Sequence, residues 1–254
     1  PQSERGEYVR PVSQAGSGNS LRLVAERGRY HLYVGNACPW CHRVTLTLAL
    51  RGLGPDVVSV TQLDDDPMRA SRGGWAMPSD LPKGDPIFGA PDLKGVYDRA
   101  SNAPGGFSGR CTAPLLVDKC KAASGKDSAI VSSESADLVR ALNDLDITGE
   151  ETESQPVELR PEESKAEIDA INAWTYELVN NGVYRAGFAT QQGAYEDAER
   201  DVHQGLTQAD QLLANRRFLC GSVITEADVR LLPTIERFDA VYATLFRCGR
   251  RTIR

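Results

Sequence analysis

Tyr30-His31-Leu32-Tyr33-Val34 is an apolar run of strand length, and the helical pattern Arg43 to Leu50 follows it closely. Between them stands Cys38-Pro39-Trp40-Cys41, which puts a thiol at the start of a helix directly after a strand. Backbone N–H groups at that end have no intrahelical partner, and the helix dipole leaves it partly positive. A thiolate is an anion, so the position favours ionised sulfur. Pro39 suits the first helical turn, where its missing N–H would have gone unpaired anyway. The pattern predicts a reactive cysteine, and Cys38 is the candidate nucleophile.

Other uses of these residues are weighed against that one. Cys38, Cys41 and His42 also spell the C-x-x-C-H attachment pattern of c-type haem, but haem attachment does not explain the preceding strand. A structural zinc site wants four ligands, usually with a second close pair. Cys111, Cys120, Cys220 and Cys248 are scattered without such spacing, and the scatter also disfavours a disulfide framework. Redox or transfer chemistry at Cys38, with no metal, is the expectation.

Outward from this segment the pattern is α/β. A second strand runs from Asp56 to Val60 and ends before Asp64-Asp65-Asp66-Pro67. A β-α-β order implies a parallel pair with a right-handed crossover. Residues 64–109 are dense in Gly, Pro and Asp without sustained periodicity, and a loop that long usually has a functional reason. Leu115 to Asp118 and Ala129 to Val131 are short β runs separated by a turn at Ser124-Gly125-Lys126-Asp127. Glu134 to Leu142 then reads as a helix. βαβ followed by ββα is the thioredoxin-like arrangement, with the active cysteine at the first strand-to-helix junction.

Residues 144–163 form an acidic segment with two prolines that reads as a linker, and the chain beyond residue 163 looks helical. Three helices are predicted: Ser164 to Asn180, stopped or kinked by Asn181-Gly182; Ala194 to Asn215; and Ile224 to Phe246. Thr225 and Asp228 make a capping box for the third, a structural device worth about 1 kcal/mol. The expected organisation is an arm over residues 1–28, a thioredoxin-like domain over 29–144, a linker over 145–162 and an all-helical domain over 163–254.

The chain has 254 residues, 41% of them hydrophobic and 25% charged, enough for one large or two small domains with real cores. A formal charge of -6 argues against nucleic acid as the main partner, and no apolar run approaches membrane-spanning length. The first residue is Pro1 rather than methionine, so a preceding targeting segment stays open. The expected location is cytoplasmic, with a plastid or other organelle as the alternative.

A thioredoxin-like domain followed by helices is the glutathione transferase architecture, and several segments are specific enough to name a class. Asn36-Ala37-Cys38-Pro39-Trp40-Cys41-His42-Arg43 resembles the active-site segment of the Xi class, the glutathionyl-hydroquinone reductases. Ser133 to Asp137, Asn181 to Ala189, Ile224 to Arg230, and Arg237 to Tyr242 with Phe246 to Cys248 resemble that family in the same order. The likeness spans roughly Tyr30 to Cys248.

The resemblance implies a glutathione site and a quinol site. Glu134 and Ser135, at a strand-to-helix junction, would receive the γ-glutamyl group of glutathione, whose carboxylate suits free amides and a hydroxyl. The structural role there is a helix cap by Ser132 or Ser133, and both can hold, since capping and ligand binding use different donors. Ala113 would offer its main chain beside Pro114, which is cis in the family. Arg110 would meet a carboxylate, and Trp75 would line the glutathione pocket or else serve as core. Tyr184 and Tyr242 would hold the hydroquinone oxygens in a second pocket between the domains. Glutathione and glutathionylated quinols are the implied ligands, and a homodimer the implied assembly.

The implied chemistry is reduction of glutathionyl-hydroquinones through a Cys38–glutathione mixed disulfide that a second glutathione resolves. Two departures stand out. Many family members carry a small non-thiol residue where this chain has Cys41, which is read either as a resolving thiol or, the favoured reading, as a buried bystander. The family also continues beyond the segment around Cys248, so part of the quinol pocket is expected to lie outside this sequence. Two other functions are weighed: a glutaredoxin-like or dehydroascorbate-reducing thiol transferase, and a non-catalytic binding protein on a transferase fold.

Overall fold

Five consecutive residues, Tyr30–Val34, form strand β1, and all five are buried. A strand covered on both faces reads as a continuous apolar run rather than an alternation. The structure is a computed structural model that describes residues 1–11, 13, 15, 21–66, 74–81, 83–147, 156–249 and 252–253. Its contacts divide the chain into two units, Ser13–Val157, and Pro1–Val12 together with Glu158–Arg254.

In the first unit β1 is followed by helix α1 (Pro39–Leu50) and strand β2 (Val58–Gln62), then by α2 (Leu93–Ala100), β3 (Leu115–Asp118), α3 (Lys119–Ser124), β4 (Ile130–Ser132) and α4 (Ser135–Asn143). The sheet order is β2-β1-β3-β4. β1 pairs in parallel with β2, Leu32 opposite Val60, and antiparallel with β3, Leu32 opposite Leu116. Helices α1 and α4 pack together. His31 on β1 is buried between two β2 hydroxyls, with Ser59 Oγ 2.8 Å from Nδ1 and Thr61 Oγ1 2.9 Å from Nε2. Burial lowers its pKa to about 4.

The irregular stretch predicted for residues 64–109 contains a helix. Leu93, Val96, Tyr97 and Ala100 lie at helical spacing and are buried, and the Asp92 carboxylate caps the turn by accepting from the Gly95 N–H at 2.7 Å. Dense Gly and Pro on both flanks hid an eight-residue helix too short to show sustained periodicity. The loop before it is fastened by Asp85, whose carboxylate accepts from the N–H groups of Ile87, Phe88 and Ala90 and from the Tyr33 hydroxyl at 2.6 Å. The predicted turn at 124–127 is likewise preceded by a short helix, α3, capped by Asp118 and closed by Gly125 at φ 63°.

The second unit is helical: α5 (Lys165–Trp174), α6 (Gly182–Gly187), α7 (Gln192–Leu213), α8 (Glu226–Glu236) and α9 (Ala243–Leu245). Two predicted helices are more broken than their patterns suggested. After Trp174 the backbone widens into π-helical turns over Thr175–Asn180, where the Asn180 side-chain amide donates to the Thr175 carbonyl at 2.8 Å. The predicted Ile224–Phe246 helix stops at Glu236, continues as π-helical turns over Phe238–Tyr242 and ends in α9. Pro233 lies inside α8 and brings no N–H to its ladder; the Arg237 guanidinium donates to the Pro233 carbonyl at 3.1 Å where the helix ends.

Two connecting stretches are less free than their composition suggested. Gly6 is buried and its carbonyl accepts from the Thr190 N–H at 3.0 Å, while the Ala15 carbonyl accepts from the Ser133 N–H at 2.6 Å. Residues 148–155 of the predicted linker lie outside the described residues; after them the Val157 N–H donates to the Leu50 carbonyl and Leu159 is fully buried. Among the described residues no helix is long and apolar enough to cross a membrane.

Candidate active site

Cys38 is the N-cap of α1, with extended backbone (φ -84°, ψ 116°) and Pro39 at the first helical position. Its sulfur accepts from the Cys41 N–H at 3.4 Å, and its S–H lies 3.5 Å from the Ala113 carbonyl. The Ala113–Pro114 peptide is cis. Cys38 is half-buried, whereas Cys41 is buried and receives the Gly35 N–H on its sulfur at 3.4 Å. Burial, and after it the Cys38 sulfur, pushes the Cys41 thiol well above its ordinary range. The helix end that holds one sulfur toward the surface therefore keeps the other in the core, neutral. The preceding loop is tied by the Ala37 N–H, which donates to Asp65 at 3.3 Å.

Trp75 is half-buried against the core of this unit, and its ring lies on Gly35. A Cβ at Gly35 would come within 2.4 Å of that ring, so only glycine allows the approach. The strand-to-helix turn that carries the thiol thus has an indole on it, and Trp75 is both packing and lining. Its carbonyl accepts from the Leu93 N–H at 2.9 Å, which ties the indole segment to α2.

At the start of α4 Glu134 is the N-cap residue, and its own side chain makes no cap hydrogen bond. Ser132 accepts from the Glu134 N–H at 3.0 Å, and Ser133 turns to Ala15 and Ser13. A helix N-terminus presents backbone N–H groups that suit an anion, and Ser135 stands at the first helical position. Arg110 is exposed and makes no hydrogen bond or ion pair with the described residues.

Tyr184 and Tyr242, 58 residues apart in sequence, are brought together in the helical unit: their hydroxyl oxygens are 3.5 Å apart. Tyr184 is half-buried on α6 and Tyr242 is buried in the π-helical turns. The break in the third predicted helix is what turns Tyr242 inward. Phe246 packs on both rings, with centroids 5.5 Å from Tyr184 and 5.4 Å from Tyr242. Phe188 packs on Phe246 at 5.3 Å, and Tyr8 packs on Phe188 at 5.2 Å. Phe188 and Tyr8 were missed, because single aromatics at distant positions carry no spacing signal. Gly187 explains the closeness: a Cβ there would lie 2.4 Å from the Phe246 ring. A cavity of about 510 Å3 opens beside Phe246, lined also by Gly187, Tyr195 and Arg247 but by neither predicted tyrosine.

Among the described residues no group of three or more His, Cys, Asp or Glu is arranged to hold a metal ion. What the α/β unit offers is a half-buried sulfur at a helix N-terminus, beside a cis-proline main chain.

Known proteins match this arrangement over nearly the whole chain. Residues 37–145 match the family described as glutathione S-transferase, N-terminal domain, and residues 192–254 its C-terminal domain. Glutathionyl-hydroquinone reductase PcpF of Sphingobium chlorophenolicum is 41% identical over 99% of this chain and 75% of its own length. Glutathionyl-hydroquinone reductase YqjG of Escherichia coli K12 is 40% identical over 91% of this chain and 66% of its own length. The glutathione-bound structure of YqjG superimposes with a TM-score of 0.78, covering 90% of this chain and 70% of that one. The glutathione transferase Xi of Phanerochaete chrysosporium superimposes with a TM-score of 0.84 at 35% identity, covering 97% of this chain and 80% of that one. Sequence and fold agree, and this chain belongs to the Xi-class glutathione transferases, the family of the glutathionyl-hydroquinone reductases.

Proposed function

We propose that this protein reduces glutathionyl-hydroquinones to hydroquinones with glutathione as the reductant, and that Cys38 carries the covalent intermediate. The observation that carries the reading is the placement of Cys38 Sγ: N-cap of α1, 3.4 Å from the Cys41 N–H and beside the Ala113 carbonyl of a cis-proline loop. Family membership supplies the substrate class, since PcpF and YqjG are both glutathionyl-hydroquinone reductases.

Glutathione binds in the α/β unit in this reading. Its γ-glutamyl carboxylate takes the start of α4 with Ser135, Glu134 accepts from its ammonium group, and the Ala113 main chain meets its cysteinyl part. In the same reading Arg110 meets a carboxylate and Trp75 lines the glutathione body. Tyr184 and Tyr242 hold the quinol oxygens.

The Cys38 thiolate attacks the glutathione sulfur of the thioether. A sulfur–sulfur bond forms and the sulfur–aryl bond breaks; its electron pair goes to the ring carbon, which takes a proton and leaves as hydroquinone. A glutathione thiolate then attacks the mixed disulfide at the glutathione sulfur, releasing oxidised glutathione and the Cys38 thiolate. The tyrosine hydroxyls donate to the quinol oxygens while charge moves through the ring. The same reading includes a homodimer, which sedimentation velocity distinguishes from a monomer.

The test is turnover of glutathionyl-menadiol with glutathione, followed by quinol release and intact mass. The expected result is quinol release by the wild type, an intermediate one glutathione heavier on Cys38, and loss of turnover in Cys38→Ser. Absence of both turnover and adduct overturns the reading. An adduct that forms equally from any small mixed disulfide, without quinol release, moves the function to a general thiol transferase.

A further inference from the structure

Cys41 takes no part in the cycle above, yet its thiol is within hydrogen-bonding reach of the Cys38 sulfur and its N–H already donates there at 3.4 Å. Residues three apart at the start of a helix share a face, so the two sulfurs stay neighbours whatever occupies Cys38. The other described thiols have other surroundings. Cys111 faces the Gly109 carbonyl, Cys120 is exposed on α3, and Cys220 and Cys248 belong to the helical unit. Cys41 is 1% exposed, so an external thiol or disulfide reaches it only through Cys38. Its sulfur also takes the Gly35 N–H at 3.4 Å, a donor suited to a developing thiolate.

We propose that Cys41 is an internal resolving thiol, which gives this chain a second, dithiol activity: reduction of glutathione disulfides with formation of a Cys38–Cys41 disulfide. The inference rests on Cys38 being the reactive thiol of the proposed function and adds a second fate for the same mixed disulfide. The Cys41 sulfur attacks the Cys38 sulfur of the adduct, and the bond between Cys38 and glutathione breaks. The electron pair leaves with the glutathione sulfur, which takes up the proton that Cys41 gives. Starting from oxidised glutathione, two protein thiols become one disulfide and one glutathione disulfide becomes two glutathiones. Two further glutathiones restore the dithiol. The attack is intramolecular, so proximity offsets the low thiolate fraction of a buried sulfur.

The test treats reduced wild-type protein with an equivalent of oxidised glutathione, quenches with acid at intervals and reads intact mass and non-reduced peptides. The expected course is an adduct on Cys38 that decays to protein two hydrogens lighter than the reduced form, with a peptide map joining Cys38 to Cys41. In Cys41→Ser and Cys41→Ala the adduct should persist, at an occupancy at least about tenfold above that of the wild type. The wild-type peptide map reads the same outcome if neither variant folds. A wild-type adduct that persists without a Cys38–Cys41 peptide overturns the resolving role and leaves the proposed function standing. Resolution through Cys111 overturns it too. Absence of any adduct on Cys38 in the wild type and in both Cys41 variants, with no Cys38–Cys41 disulfide, overturns both.

Discussion

The two candidate sites are built by opposite means. Around Cys38 the groups the proposed function uses are mainly main-chain: the Cys41 N–H, the Ala113 carbonyl beside a cis proline, and the N-terminus of α4. Around Tyr184 they are side chains: two phenols and the rings of Phe246 and Phe188, gathered by helices that break. A site of backbone groups is fixed by topology and tolerates few changes of fold. One of side chains is open to change residue by residue. In the proposed function the α/β unit would supply the chemistry common to all substrates, and the aromatic cluster the choice of substrate.

The largest effect follows from that division. Cys38→Ser should lower both quinol release and exchange with a small glutathione disulfide by more than about a thousandfold, because serine cannot carry the mixed disulfide. Tyr184→Phe and Tyr242→Phe should lower kcat/KM for the quinol thioether by about tenfold each and leave disulfide exchange within about twofold. Steady-state assays on the two substrates, side by side, read the difference. Tyrosine variants that depress both assays equally would break the comparison.

The same contrast explains what the sequence showed. The strand Tyr30–Val34, the helix start at Pro39 and the thiol between them are local, since each depends on residues within a few positions. Cys38 was legible for that reason. The meeting of Tyr184 and Tyr242 depends on where two π-helical stretches bend the chain, and no periodicity records a bend that wide. Only family resemblance paired those residues beforehand. Helix α2 was a different loss: Leu93, Val96, Tyr97 and Ala100 with Asp92 before them are a readable signal, overridden by the surrounding Gly and Pro. Ser133 looks like a cap in sequence, and its hydroxyl also donates to the arm residue Ala15, a contact 118 positions away that no local pattern records.

The units should also differ in how stability responds to acid. His31 is buried between Ser59 and Thr61, and its pKa of about 4 reflects burial, with Asp85 opposing and Lys119 assisting. In the unfolded chain its pKa is about 6.5. The unfolded state therefore takes up the proton first as pH falls, and stability is fully present above pH 6.5 and lost progressively toward pH 4. The loss should be on the order of 3 kcal/mol across that window. Urea titrations at pH 7 and pH 4.5 measure it, and His31→Gln should flatten that dependence. A slope unchanged by the substitution would place the acid sensitivity elsewhere.

The smallest effect belongs to the helical unit and concerns which half of a capping box fastens it. Thr225 and Asp228 form the box at the start of α8, as their spacing predicted. The Asp228 carboxylate does more than reciprocate: it accepts from the Thr225 N–H at 2.9 Å, from the Thr225 hydroxyl at 3.0 Å and from the Leu219 N–H at 2.9 Å. Thr225 is fully buried, so its N–H has no water to turn to once the carboxylate is gone. Thr225→Ala should cost about 1 kcal/mol, the ordinary worth of a cap, and Asp228→Ala about 2 kcal/mol, because it strands buried donors. Chemical denaturation near neutral pH resolves the two. Equal costs would mean that the hydroxyl, rather than the carboxylate that joins the preceding loop to the helix, is what holds α8 in place.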